Sequence, residues 1–251
     1  MERAVFLTQA DAVPAGDWSR LYYGSEFCSW TFPSDTEIIT AIKTARSQDF
    51  SITLVTPVVS QLFLPRLRQT LELVIPQLGP DDEIVASDLG TIRVARQLSA
   101  EVTLVVGRTL SGQKRGPRIL DLNLNDVELD YFQRGSWYQA EAVISLHQQG
   151  IKRIELDNLL QGIAPLPEGL TGTLHIPWAM VTSSRNCPYR QSGQTGPCPG
   201  GCGEVMKLTT PQTLTPLFQS GNSQFLQHDQ IPENLATLGI DRVVEHLQLP
   251  R

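Results

Sequence analysis

The sequence lacks the apolar segments that direct proteins into or across membranes. No apolar run approaches the roughly 18 residues that a membrane-spanning helix needs. The first ten residues hold only a short apolar run at 4–7, without the cationic start and longer apolar centre of a signal peptide. These absences predict a soluble, cytoplasmic protein that does not insert into a membrane.

Several common catalytic motifs are also missing. The chain has no Gly-x-Ser-x-Gly elbow and no His-Glu-x-x-His, the motifs of serine and zinc hydrolases. It has no Cys-x-x-x-Cys-x-x-Cys of the radical-adenosylmethionine kind and no Gly-rich phosphate loop after the first predicted strand. The sequence therefore contains no motif that indicates any of these activities.

Positive charge is the scarcer sign, with 20 basic against 26 acidic residues and a net charge of −6. Because a protein that coats nucleic acid must neutralise phosphates, this balance argues against nucleic acid as a partner. One local exception, residues 108–118, holds Arg108, Lys114, Arg115 and Arg118 without an acid. Such a stretch could bind an anionic ligand, a dicarboxylate or RNA phosphates, although a solvated loop is its more common role.

Hydrophobic patterning predicts repeated βα units over the first two-thirds of the chain. Strands are predicted at 20–23, 51–56, 83–87, 102–106, 153–156, 173–181 and 243–244, and helices at 35–45, 67–78, 89–98 and 137–149. Residues 205–225 predict a β-hairpin that turns at 220–222. Because a complete barrel needs eight strands and only six or seven are counted, we expect an α/β fold: a partial or irregular TIM-like (β/α) barrel with a C-terminal β-hairpin. No linker divides it, so 1–251 is predicted to be a single domain.

The four cysteines are the most informative residues. Cys28 stands alone, whereas Cys187, Cys198 and Cys202 fall within sixteen residues of one another. Four are too few to staple a chain of 251 residues, and a reducing cytosol would not keep them oxidised. The segment 187–203 is rich in glycine and proline and has no carboxylate. Thiolates suit zinc and iron–sulfur clusters, and glycine lets a loop turn sharply around such a centre.

Several interpretations of these thiols remain open. They could be buried cysteines in a turn-rich loop, or Cys198 and Cys202 could form a disulfide. Structural zinc commonly uses two Cys-x-x-Cys knuckles, which this chain lacks, whereas iron–sulfur ligation tolerates irregular spacing. Cys28 and Cys187 each follow a predicted strand, which places both at the C-terminal rim where barrel active sites assemble. Spacing favours one four-thiolate site, with iron–sulfur ahead of zinc.

Three further segments carry a family resemblance. Residues 24–29 read Gly-Ser-Glu-Phe-Cys-Ser, and residues 83–90 read Glu-Ile-Val-Ala-Ser-Asp-Leu-Gly. Residues 183–187 read Ser-Ser-Arg-Asn-Cys, followed by the Cys-x-x-x-Cys of 198–202. In this order, with the Leu-rich hairpin at 208–226, they resemble the UbiV-type members of the collagenase-like peptidase family. That family includes UbiU and UbiV, the pair of anaerobic ubiquinone biosynthesis.

The resemblance implies a [4Fe-4S] cluster held by Cys28, Cys187, Cys198 and Cys202. It further implies oxygen-independent hydroxylation of a small-molecule quinone precursor, with prephenate as oxygen donor, in a heterodimer with a UbiU-like protein. Relatives that hydroxylate RNA or carry a peptidase label are alternatives, as is a non-catalytic subunit ordered by its metal. Many relatives have a Glu or a His-Gly pair where this chain has His175-Ile-Pro-Trp-Ala. The catalytic residues therefore stay unassigned.

Other polar candidates have ordinary structural interpretations. Asp88, at a strand-to-helix turn, is typical of a helix N-cap. The histidines at 147, 175, 228 and 246 are scattered, and no spacing pairs them with another ligand. Only His175 precedes the cysteine loop closely, and a histidine on a strand usually has a structural role.

Overall fold

The computed structural model describes residues 1–190, 196–211 and 213–251, with only the backbone described at 210 and 213. Part of the predicted cysteine loop, 191–195, therefore lies outside the described residues, as does residue 212 of the predicted hairpin. All four cysteines lie inside them.

Among the described residues, eight parallel strands close into a barrel in the order β1-β12-β7-β6-β5-β4-β3-β2. These strands are β1 (Glu2–Phe6), β2 (Arg20–Gly24), β3 (Ser51–Thr56), β4 (Glu83–Ala86), β5 (Leu104–Val106), β6 (Arg153–Asp157), β7 (Thr171–Ile176) and β12 (Ile240–His246). The helices are α1 (Asp35–Ser47), α2 (Leu64–Val74), α3 (Leu89–Leu98), α4 (Asp126–Gln133) and α5 (Ala140–Gln148). The predicted TIM-like α/β barrel is confirmed.

The expectation of six or seven strands was wrong, because the barrel is closed. The first strand, β1, pairs in parallel with both β2 and β12 and completes the ring. It escaped prediction because its first inward side chain is charged: Glu2 accepts hydrogen bonds from Arg20 Nε at 2.7 Å and Arg242 Nε at 2.6 Å. A strand that points a carboxylate into the barrel does not show the apolar alternation by which strands are recognised.

Local signals at helix starts are confirmed by the structure. Ser34 and Glu37 form the capping box that begins α1, with Ser34 N donating to Glu37 Oε2 at 2.8 Å. Asp88 caps α3, accepting a hydrogen bond from Gly90 N at 2.7 Å. Both carboxylates are thereby committed to helix starts.

A second sheet of four strands has the order β8-β11-β10-β9. In sequence these strands lie between β7 and β12 of the barrel. Its strands are β8 (Trp178–Ser183), β9 (Met206–Thr210), β10 (Thr213–Ser220) and β11 (Ser223–Gln227). The predicted hairpin is confirmed as β10 and β11. The strand predicted at 173–181 is instead two strands: β7 ends at Ile176 in the barrel, and β8 begins at Trp178 in the second sheet.

The barrel interior changes from charged to apolar to polar along its axis. At the N-terminal ends of the strands, Arg242 bonds to Glu83 and Glu2. An apolar belt follows, formed by Ala4, Tyr22, Val55, Val85, Val105 and Val244. Near the C-terminal ends Asp157, His175 and His246 are all at most 4% exposed. Buried polar groups therefore lie directly beneath the end of the barrel at which barrel enzymes place their sites.

No helix in the described parts of the chain combines the length and apolar character required to cross a bilayer.

The apolar packing of α2 against the barrel gives a first prediction. Leu71 is fully buried on this helix, whereas Leu73 is 45% exposed. Leu71→Ala is expected to lower the free energy of unfolding by about 2–5 kcal/mol, because it removes buried methyl groups and leaves a cavity. Leu73→Ala is the control, expected to change it by about 0.5 kcal/mol or less. Urea unfolding followed by circular dichroism measures both; equal losses would contradict the packing.

Candidate functional site

The structure brings the four cysteines to one cavity at the C-terminal end of the barrel. Cys28 lies just beyond β2, Cys187 beyond β8, and Cys198 and Cys202 precede β9. All four line a cavity of about 740 Å³, here called the cysteine cavity. Cys28, which is 159 or more positions away from the other three in sequence, thus lines the same cavity as they do.

The cysteines are half-buried free thiols, so the disulfide considered for Cys198 and Cys202 is not formed. Burial raises the pKa of the Cys202 thiol, and the charges of Cys28, Cys187 and Cys198 add to this rise. Cys202 is therefore close enough to the other three cysteines for their charges to oppose its ionisation. Across the described residues, no three or more His, Cys, Asp and Glu side chains form a group arranged to hold a single metal ion.

The segment that carries Cys28 is anchored by Glu26. This carboxylate is 3% exposed and accepts a hydrogen bond from Arg108 N at 2.8 Å and another from Arg108 Nε at 2.9 Å. Its main-chain oxygen accepts a hydrogen bond from Val58 N at 3.1 Å. Thr31 Oγ1 donates to Cys28 O at 3.0 Å and closes the turn. The backbone on both sides of the Cys28 thiol is therefore held.

The strand that leads to Cys187 is anchored by the same arginine. Arg108 Nη1 donates to Asp157 Oδ1 and to Trp178 O, each at 3.1 Å. Asp157 Oδ1 also accepts from Met180 N at 2.7 Å, so β8 is tied to the barrel through Asp157. Although burial alone would raise it, Arg115 and Arg108 hold the pKa of Asp157 below its usual range. Asp157 thus stays ionised and keeps these bonds at neutral pH.

Within the basic stretch 108–118, Arg108 and Arg115 pair with carboxylates of the chain itself, whereas Arg118 is exposed. Arg108 is fully buried, and Arg115 Nη2 lies 2.8 Å from Asp157 Oδ2. Neither guanidinium is a solvated loop charge, because each forms ion pairs with carboxylates of the chain itself. Local sequence could not show this, because Glu26 and Asp157 come from β-strand ends far from the stretch.

Asn222, at the tip of the hairpin, joins the two cysteine-bearing segments directly. Its Nδ2 donates to Phe27 O at 2.9 Å and to Ser184 O at 2.8 Å, and its main-chain oxygen accepts from Ser184 N at 3.0 Å. The neighbouring Gly221 has φ of +55°, and a Cβ built there would lie 3.7 Å from Cys202 Sγ. The hairpin turn thus contacts Phe27, which precedes Cys28, and Ser184, three residues before Cys187, and it lies beside Cys202. No sequence signal beyond the turn itself marked Asn222.

A second cavity, of about 750 Å³, opens beside the first and is here called the mouth cavity. Phe6, Glu26, Arg108, His246 and Arg251 are among its lining residues. Both cavities are also lined by Phe27, Trp30, Thr31, Gly200 and Cys202. Cys202 and two aromatic side chains therefore stand between the cavities, and a group bound at the cysteines would border the mouth cavity.

The histidines do not remain scattered in the fold. His175 Nδ1 lies 2.7 Å from His246 Nε2, and His175 Nε2 is hydrogen-bonded to Glu155 Oε2. His228 Nδ1 lies 3.0 Å from Asn158 O, and the side chain of His147 is exposed near Gly169 O. Spacing along the chain missed the first pair, because barrel closure alone brings β7 and β12 together.

Comparison with known proteins gives evidence about the fold. No family model and no curated protein matches the chain. Among solved structures, that of the U32 peptidase Mk0906 is similar, with 13% sequence identity and a TM-score of 0.50. The match covers 100% of this chain and 94% of that one. The two proteins share the barrel and its attached sheet as a fold.

The double anchoring role of Arg108 is testable by Arg108→Met. This change leaves Glu26 buried without its guanidinium partner and leaves Asp157 with Arg115 alone, and we expect it to cost about 3–5 kcal/mol of unfolding free energy. The control is Arg134→Met, which breaks an exposed pair with Asp130 and should change stability little. Chemical denaturation of both variants measures the difference. Similar small losses in the two would show that Arg108 does not anchor the site.

Proposed function

We propose that this chain is a [4Fe-4S] cluster protein of the UbiV type that takes part in oxygen-independent hydroxylation. Cys28, Cys187, Cys198 and Cys202 would hold the cluster. The observation that carries the proposal is that these four thiols, from distant segments, line one cavity at the mouth of the barrel. The resemblance in sequence and the fold shared with a U32 peptidase support placing the chain in the collagenase-like peptidase family.

The chemistry of the cysteine cavity fits such a group. In the described part of the chain, no carboxylate lines it, whereas Arg115, Arg185 and Arg190 do. Burial, and after it the charges of the other thiols, raises the pKa of Cys202, so a cationic centre would favour the ionised form of this ligand. Because Arg115 is paired with Asp157, the guanidinium groups of Arg185 and Arg190 would then offset the net negative charge of a thiolate-bound cluster.

The spacing of the cysteines favours a cluster over zinc. Structural zinc commonly uses two Cys-x-x-Cys knuckles, which this chain lacks, whereas iron–sulfur ligation tolerates irregular spacing.

The neighbouring mouth cavity supports a reaction rather than a purely structural role. When bound, the cluster would supply a redox-active centre next to that cavity. The side chains of Phe27 and Trp30 form part of the shared wall and would limit water at that border. At about 750 Å³, the mouth cavity has the size of a small-molecule site. The substrate proposed from the resemblance is a quinone precursor.

The pathway and the partner are proposed from the resemblance. We propose a role in anaerobic ubiquinone biosynthesis and a heterodimer with a UbiU-like subunit. Cells that lack the gene are then expected to lose ubiquinone under anaerobic growth and keep it in air. Co-expression with the UbiU-like protein, followed by size-exclusion chromatography, is expected to give a complex of both chains. Normal anaerobic quinone levels would contradict the proposed pathway but would not bear on the proposed cluster.

The cluster proposal predicts the metal content of the protein. Anaerobically isolated protein is expected to be brown and to contain about four iron and four sulfide per chain. Replacing any one cysteine by serine should lower iron and sulfide and weaken the visible absorbance. Leu62→Ala is a matched control, because Leu62 lines the same cavity but offers no ligand atom.

Cys28→Ser is the most decisive of these variants. Cys28 is the one ligand outside the 187–202 segment, so loss of the cluster in this variant requires that the two segments share it. Full retention of iron in Cys28→Ser would show that the cluster does not bind at the barrel mouth as proposed. A colourless protein that contains one zinc and no sulfide would overturn the cluster altogether.

A further inference from the structure

Three buried side chains on adjacent barrel strands form a continuous hydrogen-bonded row. Glu155 lies on β6, His175 on β7 and His246 on β12, which are neighbours in the barrel. They are 0%, 2% and 4% exposed. His175 bonds through Nε2 to Glu155 and through Nδ1 to His246 Nε2, so both of its ring nitrogens are in use.

The remaining contacts fix the orientation of the row. Tyr22 OH donates to Glu155 Oε1 at 3.0 Å and accepts from Arg242 Nη1 at 2.9 Å. The His246 ring stacks on Phe6, with ring centres 4.9 Å apart and planes 21° apart. The carboxylate is thus held at one end and the imidazole at the other.

The hydrogen bond between the two histidines couples their tautomers. A neutral imidazole carries one N–H, and the bond made by one nitrogen determines which nitrogen holds it. If Glu155 is protonated, its hydroxyl donates to His175 Nε2, His175 Nδ1–H donates to His246 Nε2, and His246 carries its hydrogen on Nδ1. If Glu155 is ionised, every donor reverses and His246 Nδ1 has a free lone pair.

The row ends at the mouth cavity. His246 lines that cavity, and its Nε2 is already bonded to His175. Within the described ranges, Nδ1 of His246 has no hydrogen-bond partner. It is therefore the one atom of the row left to exchange a proton with a molecule in the cavity.

We infer that Glu155, His175 and His246 form a proton relay that opens into the mouth cavity, with His246 Nδ1 as its acid–base group. The molecule served would be a small one with an oxygen or nitrogen atom that gains or loses a proton. This inference goes beyond the proposed function and does not require the cluster.

One turnover of the relay moves one proton. His246 Nδ1–H passes its proton to the bound molecule, while His246 Nε2 takes the proton of His175 Nδ1. His175 Nε2 in turn takes the proton of Glu155, which becomes a carboxylate. Both histidines are neutral before and after, so no charge is left on either ring, and Glu155 supplies the proton. The reverse sequence removes a proton from the molecule.

The electrostatic environment agrees with this scheme. Burial raises the pKa of Glu155 to about 7, so its proton is available and exchangeable near neutral pH. Burial, together with the charge of Arg108, holds the pKa of both histidines well below their ordinary value. The charged or titratable groups that face the row from the surrounding elements are Tyr22, Glu83, Arg108, Arg153, Asp157 and Arg242.

Histidine tautomers provide the test. Nitrogen-15 spectra of the full chain, labelled at histidine, distinguish Nδ1–H from Nε2–H and from the cation. Both rings are expected to carry Nδ1–H at low pH, and both should switch to Nε2–H together, with a midpoint near 7. The Nδ1–H of His246 should exchange with water faster than that of His175. His147→Gln and His228→Gln assign the other two signals.

Glu155→Gln supplies the second arm. Because Tyr22 OH would hold the amide oxygen, the amide nitrogen would donate to His175 Nε2 and lock both rings in the Nδ1–H form at every pH. Glu2→Gln is the control, since Glu2 is a carboxylate of the same barrel that contacts neither ring, and this variant should keep the switch.

Two results would overturn the relay: tautomers that stay constant across the titration, or a ring that becomes a cation near its ordinary pKa. If Glu155→Gln fails to fold, the titration of the unmodified chain decides alone. None of these readouts depends on iron, so the relay proposal and the cluster proposal can be contradicted independently of each other.

Discussion

One buried guanidinium, Arg108, determines where the parts of the site lie. A charge removed from water must be paired, and breaking such a pair is costly, so the groups that surround it are fixed with it. Glu26 fixes the Cys28 segment and Asp157 fixes β8, the strand that leads to Cys187. The arginine follows β5, the barrel strand next to β6, which carries Asp157. The geometry of the cysteine cavity therefore depends on an ion-pair network of the barrel mouth rather than on the cysteine loop alone.

Local patterns in the sequence predicted local structure well. The capping box at Ser34 and the βα rhythm depend on neighbours a few positions apart, and these features appear as expected. Closure of the barrel could not be predicted in the same way. The strands that close it point Glu2, Arg20 and Arg242 inward, and these side chains are paired across the barrel with one another and with Glu83. Their pairing exists only in the finished fold, so strand patterns based on apolar alternation undercount such a barrel.

Some residues of the candidate site could likewise be predicted from the sequence, and others could not. The cysteines were recognisable as candidate ligands because three thiols in a Gly- and Pro-rich segment are typical of a metal or cluster site. Strand ends then predicted that Cys28 would join them, and the shared cavity agrees. Asn222, Glu26 and Asp157 carry no such chemical signature. Each acts through long-range bonds to backbone or to arginine, and a sequence without its fold cannot show which partner an asparagine or a carboxylate will meet.

Arg108 also connects the two cavities electrostatically. Besides the burial of the rings, its positive charge lowers the pKa of both His175 and His246. The same charge that holds the cysteine-bearing segments thus disfavours histidinium in the row beneath the mouth cavity. Neutral rings are what a relay through tautomers requires, since a permanently charged imidazole would donate from both nitrogens and block transfer between Glu155 and the cavity. Arg108 therefore both positions the thiol-bearing segments and, together with burial, keeps the histidines neutral.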